Sequence, residues 1–237
     1  MNDSAISLAD ARPLVASPLW PRIRAFLWDF ASLCDPARLT AAAGGPGGAA
    51  PRSLDLLDSP RVAAGALRAL GVEPVFHAFP ATDASRLLLL SREDYDRLAQ
   101  FLGVVALAPA LRRVTAGADV RALKAALPGV YPATLAFTAY FRRHEPLFTQ
   151  VAPADAAANA ETVLAAGHRL LAAALSGLPP ELLLRQRLRF PEGSPADAAL
   201  AREAGSVPEA SASGAALAAA KLALKLSNPT EYSTLCS

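Results

Sequence analysis

The stretch from Ser91 to Val105, SREDYDRLAQFLGVV, decides the class of fold. Ser91 followed three residues later by Asp94 has the S-x-x-D form of a capping box, where side chains satisfy the orphan N–H groups of a first helical turn. Glu93 and Asp94 also stand at the positive end of that helix. Leu98, Phe101, Leu102 and Val105 then follow at i, i+3, i+4 and i+7, the apolar stripe of a helix. The rest of the chain is made of similar material. Ala supplies 55 and Leu 38 of the 237 residues, both strong helix formers, and aromatics are only 6%. The expected fold is mostly α: an irregular orthogonal bundle of about eight to ten helices, with few or no short strands.

Towards the N-terminus, Ser17-Pro18 resembles a cap with proline in the first turn. Leu19, Ile23, Phe26, Phe30 and Leu33 follow at spacings of 4, 3, 4 and 3, so one helix is expected up to Asp35-Pro36. Residues 1–39 thus read as an N-terminal helical element. AAAGGPGGAAP lies between Thr40 and Arg52, and residues 40–58 read as a Gly/Ala/Pro-rich linker. Residues 59–191 read as the main helical core. There Ser59-Pro60 opens a helix that Gly71 stops, and Val75-Phe76 and Leu87 to Leu90 are candidate extended pieces. Asp119 caps a helix that ends before Pro128. Pro132 sits in the first turn of another reaching His144, with Pro146 in the loop beyond. Asp155 opens a long alanine-rich helix to Ser176, and Pro179-Pro180 begins one through Leu188. Residues 192–237 read as an Ala-rich, partly mobile segment, with Gly205 to Gly214 mobile. One terminal helix, Ala215 to Leu226, is expected there, ended by Asn228-Pro229 and followed by a polar tail.

Net charge is +2 and mean hydropathy +0.28. The first is low for a strong nucleic-acid binder, and the second is too apolar for a disordered chain. Two cysteines without a CxxC fit a reducing compartment. The first fifteen residues have no basic stretch followed by an apolar run, so no secretory leader is expected. The longest uncharged window, the 17 residues from Ala125 to Phe141, is broken by Pro128, Gly129 and Pro132. A soluble cytoplasmic protein is expected.

Chemistry-bearing motifs are scarce. His77, His144 and His168 have no partner at metal-ligand spacing. His168 falls among Leu164, Leu171 and Leu175 and reads as a core histidine. His144, at a helix end after Arg142-Arg143, reads as a cation placed on the negative end of the dipole. Cys34 lies beside Asp35, which raises a thiol pKa instead of activating it. Gly44 to Gly48 lack the lysine and the preceding strand of a phosphate loop. Asp94 and Asp96 do not face one way on a helix, and capping accounts for Asp94. No catalytic, cofactor or metal site is expected. Charge is more informative. Residues 110–190 hold ten basic against five acidic groups, whereas the first 60 residues carry −1 and the last 47 carry −2. Arg112, Arg113, Arg142, Arg143, Arg185, Arg187 and Arg189 are the candidate partner-binding residues, a docking surface for an acidic protein. The competing expectation is a small ligand-binding protein or enzyme with a pocket near His168.

Three pieces in order carry a resemblance. They are FASLCDPARL (Phe30 to Leu39), RLLLLSREDYDRLAQFLGVVALAPALRRV (Arg86 to Val114) and LLLRQRLRFP (Leu182 to Pro191). Together they resemble the SctK/YscK family of type III secretion proteins. In that family a Leu-rich run leads into a helix rich in Leu and Gly, then a small residue-x-x-(Leu/Ile)-Arg-Arg stretch, here Ala108 to Arg113. The resemblance spans roughly residues 20–191. The GGPGG segment and the Ala-rich C-terminus depart from it. It implies a cytoplasmic, non-catalytic adaptor of the injectisome sorting platform, peripheral to the inner membrane. Such an adaptor links the SctD-type inner-membrane ring protein to the SctQ-type pod protein.

Overall fold

In the computed structural model, Ser91 caps its helix as the spacing predicts. Its Oγ accepts the Asp94 N–H at 3.0 Å and donates to Asp94 Oδ2 at 2.6 Å. The structure describes residues 17–44, 59–73, 79–128, 130–131, 134, 137–151, 157–204 and 210–236. Among them are thirteen α-helices, two 3₁₀ segments and no strand. The all-α class holds, with more and shorter helices than eight to ten. In chain order they are α1 Trp20–Leu27, α2 Pro36–Gly44, α3 Pro60–Ala69, α4 Asp83–Leu87, α5 Arg92–Ala106, α6 Ala108–Leu111 and α7 Gly117–Ala126. After these come α8 Glu145–Val151, α9 Ala160–Leu175, α10 Pro180–Leu188, α11 Pro195–Ala204, α12 Ala210–Ser227 and α13 Pro229–Cys236.

The centre of the molecule is the crossing of α5 and α9. From Leu98 to Ala106 every residue of α5 but Gln100 is buried, so the stripe seen in the sequence is one side of an enclosed helix. Asn159 caps α9 by accepting the Thr162 N–H at 2.9 Å, so this helix starts at Ala160 and not at Asp155, which lies outside the described residues. At the crossing the two backbones touch. A Cβ added at Gly103 would stand 1.9 Å from the Val163 carbonyl oxygen, and one at Gly167 would stand 1.8 Å from that of Ala99. Each glycine admits the other helix's main chain, an approach no side chain permits.

α12 packs on both α9 and α5, and α11 packs on α9 and α10. Ala216, Ala219, Ala220, Ala223 and Leu224 are at most 1% exposed. Small side chains let α12 sit close to the central pair, so this part of the Ala-rich C-terminal segment is packed against the core. Residues 205–209 lie outside the described residues, but the helix already runs from Ala210. The expected polar tail is α13, whose Leu235 is fully buried and whose Glu231 pairs with Arg22 of α1.

Three further expectations are corrected. The N-terminal stripe is not one helix. α1 ends at Leu27, a 3₁₀ turn spans Phe30–Ser32, and α2 follows. The Asp35 carboxylate accepts the N–H groups of Ala37 and Arg38 at 3.1 and 3.4 Å, and Pro36 takes the first position of α2. The start of the proposed linker, residues 40–44, is thus helical, and 45–58 lie outside the described residues. Leu87 to Leu90 are not extended. Leu87 closes the single-turn α4 under a Thr82–Ser85 capping box, Leu88 to Leu90 form the turn that follows, and all four leucines are buried. Pro146 opens α8 instead of lying in a loop. Val75 and Phe76 lie outside the described residues. Gly71 stops α3 as expected, at φ 79° with the Val72 N–H donating to the Leu67 carbonyl at 2.9 Å.

Candidate functional site

The seven candidate arginines separate into two sets. Arg185 and Arg189, on the last turn of α10 and just past it, point inward and are 3% and 4% exposed. They are not surface residues, which corrects their assignment to a docking face. Arg185 donates to the carbonyls of Phe26 at 3.2 Å and Glu73 at 2.8 Å, with its guanidinium 5.3 Å from the Phe30 ring centre. Arg189 donates to Leu88 O at 2.8 Å, Leu90 O at 2.7 Å and Gln186 Oε1 at 2.8 Å. Burial lowers the Arg189 pKa to about 10, which leaves it charged at neutral pH. Both arginines supply donors to carbonyls that no helix satisfies. Arg187 is half-buried, and its Nε stands 2.6 Å from Asp197 Oδ1, an oxygen that Arg38 also reaches at 2.6 Å. Burial would push the Asp197 carboxyl up. Hydrogen bonds from Arg187, the Gly193 N–H and Arg38 instead hold it below the usual carboxylate range.

Arg112, Arg113, Arg142 and Arg143 are exposed. Arg112 and Arg142 line one cleft of about 350 Å³ between the α5–α6 corner and the 3₁₀ segment Thr138–His144 with α8. Its apolar walls come from Val105, Leu107, Phe141 and Phe148, all buried, and its mouth from Pro109, Ala139, Glu145 and Thr149, all exposed. Arg112 donates to the Thr138 hydroxyl across the cleft. Phe101, Phe141 and Phe148 form a chain of rings 6.2 and 5.9 Å apart. Tyr140, 62% exposed, adjoins the ring of Phe137 at 6.1 Å. The sequence reading had the arginines but missed the floor. The i, i+7 spacing of Phe141 and Phe148 was the available signal, hidden because Pro146 was taken to break the helix between them.

The two described histidines, His144 and His168, offer no second site. His168 is 4% exposed, stacks on Tyr95 at 5.9 Å and meets Phe190 edge-on at 6.1 Å. Its Nε2 lies 3.4 Å from Asp96, and burial lowers its pKa to about 4, so the ring is neutral at pH 7. It lines neither the first cleft nor the smaller one beside Phe26, Leu88 and Arg189. His144 is not the cation expected at a helix end. It is buried, and its Nε2 accepts from Arg143 Nε at 3.1 Å, while burial and then the Arg143 charge lower its pKa. His77 lies outside the described residues. Burial, with Asp35 adding, pushes the Cys34 thiol up to about 11. Among the described residues no three His, Cys, Asp or Glu side chains cluster to hold a metal ion, and no helix is long and apolar enough to cross a membrane.

No known protein family, curated protein or solved structure matches the chain.

Proposed function

We propose that the chain is a non-catalytic adaptor of a type III secretion sorting platform, held beneath the inner membrane by its partners. In this reading it joins the SctD-type ring protein to the SctQ-type pod protein and is needed for secretion. One observation carries the reading. Ala108 to Arg113, the piece that bears the small residue-x-x-Leu-Arg-Arg resemblance, supplies one wall of the cleft and one of the two arginines that line it, Arg112, with Arg113 exposed next to it in sequence. Within that piece Pro109, Arg112 and Arg113 are exposed where a partner can reach them, while Ala108, Ala110 and Leu111 are buried. A rim of this kind steers encounter and fixes register more than it adds affinity.

The test is a clean deletion in the native host together with affinity purification of the tagged chain. The expected result is loss of secreted substrates and recovery of the ring and pod proteins. Normal secretion in the deletion strain would refute the adaptor role.

A further inference from the structure

The arginine-rimmed cleft combines two chemistries that a purely electrostatic surface would not need. Its floor is a rigid aromatic and aliphatic bed, with Leu107 and Phe141 at 1% exposure and Phe148 at 6%. Above it stand the exposed Arg112 and Arg142, and Glu145 is the one acid among the lining residues described. The volume, about 350 Å³, is at the small end of ligand clefts, enough for a side chain or two and too small for a whole helix.

We propose that this cleft takes a short acidic segment of a partner protein, which seats one apolar side chain against Phe141 and Phe148 and sets carboxylates against Arg112 and Arg142. The proposal rests on the adaptor reading and names the partner's chemistry. A purely apolar occupant would make no use of the two guanidinium charges at the cleft, and a basic one would be repelled by them. Arginine's planar fork matches a carboxylate with two parallel hydrogen bonds, so the same residues that attract the segment also orient it. The apolar anchor supplies the desolvated centre that surface charges alone lack.

Selection from a displayed library of random 12-residue peptides on the whole chain tests this. Retained peptides should place Asp or Glu on either side of a Phe or Leu. Their affinity should fall by at least about tenfold for Arg112→Glu/Arg142→Glu, and should weaken with added salt. Thr149→Trp changes no charge and fills the mouth of the cleft; it should also abolish binding. Thr149 is exposed, so that variant keeps the fold, and a thermal melt of each variant checks this. No enrichment, peptides lacking either acids or an apolar anchor, or affinities indifferent to both variants would overturn the proposal. Deletion phenotypes separate the two readings. Lost secretion without peptide binding leaves the adaptor and removes the cleft; peptide binding with intact secretion does the reverse.

Discussion

Replacing Gly167 or Gly103 by alanine tests the central crossing, because two effects of opposite sign compete there. Helix propensity alone favours alanine over glycine by about 1 kcal/mol, so a solvent-facing helical glycine gains stability on substitution. At the crossing the new Cβ would stand 1.8 or 1.9 Å from a backbone oxygen of the facing helix. Ordinary contact begins at about 3.4 Å, so α5 and α9 must separate by roughly 1.5 Å, since a helix backbone cannot swing aside as a side chain can. A gap of that size forfeits about half of each dispersion contact across the crossing. Over ~40 atom pairs, about the complement of one buried leucine, this costs about 3 kcal/mol. The net expectation is a loss of about 2 kcal/mol for either single substitution. Gly65 in α3 is the internal control. It is exposed, and nothing lies within 4 Å of the Cβ it would carry. Gly65→Ala should therefore raise stability by up to about 1 kcal/mol. Urea unfolding followed by far-ultraviolet circular dichroism gives all three values on one scale. If Gly167→Ala proves as stable as Gly65→Ala, the backbones do not meet as described and the reasoning is wrong.

Other consequences are measurable. Arg189→Met leaves the buried carbonyls of Leu88 and Leu90 without donors and should cost about 3 kcal/mol in the same assay; a change below 1 kcal/mol would show that these carbonyls find other partners. His168 is depressed to about 4 in the fold against 6.5 as its ordinary value, so between those pH values the unfolded chain binds more protons and stability rises with pH. The span amounts to about 3 kcal/mol, present in full above pH 6.5 and lost as pH falls towards 4. Asp96, whose carboxyl is raised by burial, faces the ring and works in the opposite sense, so the readout is the difference between the wild type and His168→Asn across that range. A flat difference would remove the assignment. Truncation before Ala210 should uncover α5 and α9 and abolish a cooperative melt, whereas a sharp transition in the truncated chain would show that the core forms without α12.

The class of fold was open to sequence reading because α5 carries its own cap and stripe, and Pro180 with Leu182 and Leu183 marks α10 equally well. Other features depend on atoms far away in the chain. RQRLRF looks like an alternating charged surface, but Arg185 and Arg189 turn inward because carbonyls at Phe26, Glu73, Leu88 and Leu90 lack helical donors. Gly103 and Gly167 look like weak points by propensity, and only the opposing backbone explains them. The stripe from Leu19 to Leu33 has helical spacing throughout. It breaks after Leu27, where the Phe26 carbonyl accepts from the distant Arg185, and Asp35, whose N–H is taken by the Leu188 carbonyl at 2.8 Å, then starts a new helix with its carboxylate. The alanine count alone does not distinguish a thin surface helix from one pressed against two others, as α12 is. At the cleft the cations were legible and the floor was not, because the chain segments facing each other are some thirty to forty residues apart.

The guanidinium of Arg189 reaches the leucine run at Leu88 across 101 residues of chain. During synthesis at roughly 5–20 residues per second, that run leaves the ribosome on the order of 5–20 s before the arginine that will satisfy it. The alanine face of α12 arrives later still. Until Arg189 arrives, the carbonyls of Leu88 and Leu90 lack the donors that the finished fold gives them. Completion of this fold is thus a late event in the life of the nascent chain, timed by its C-terminal fifth.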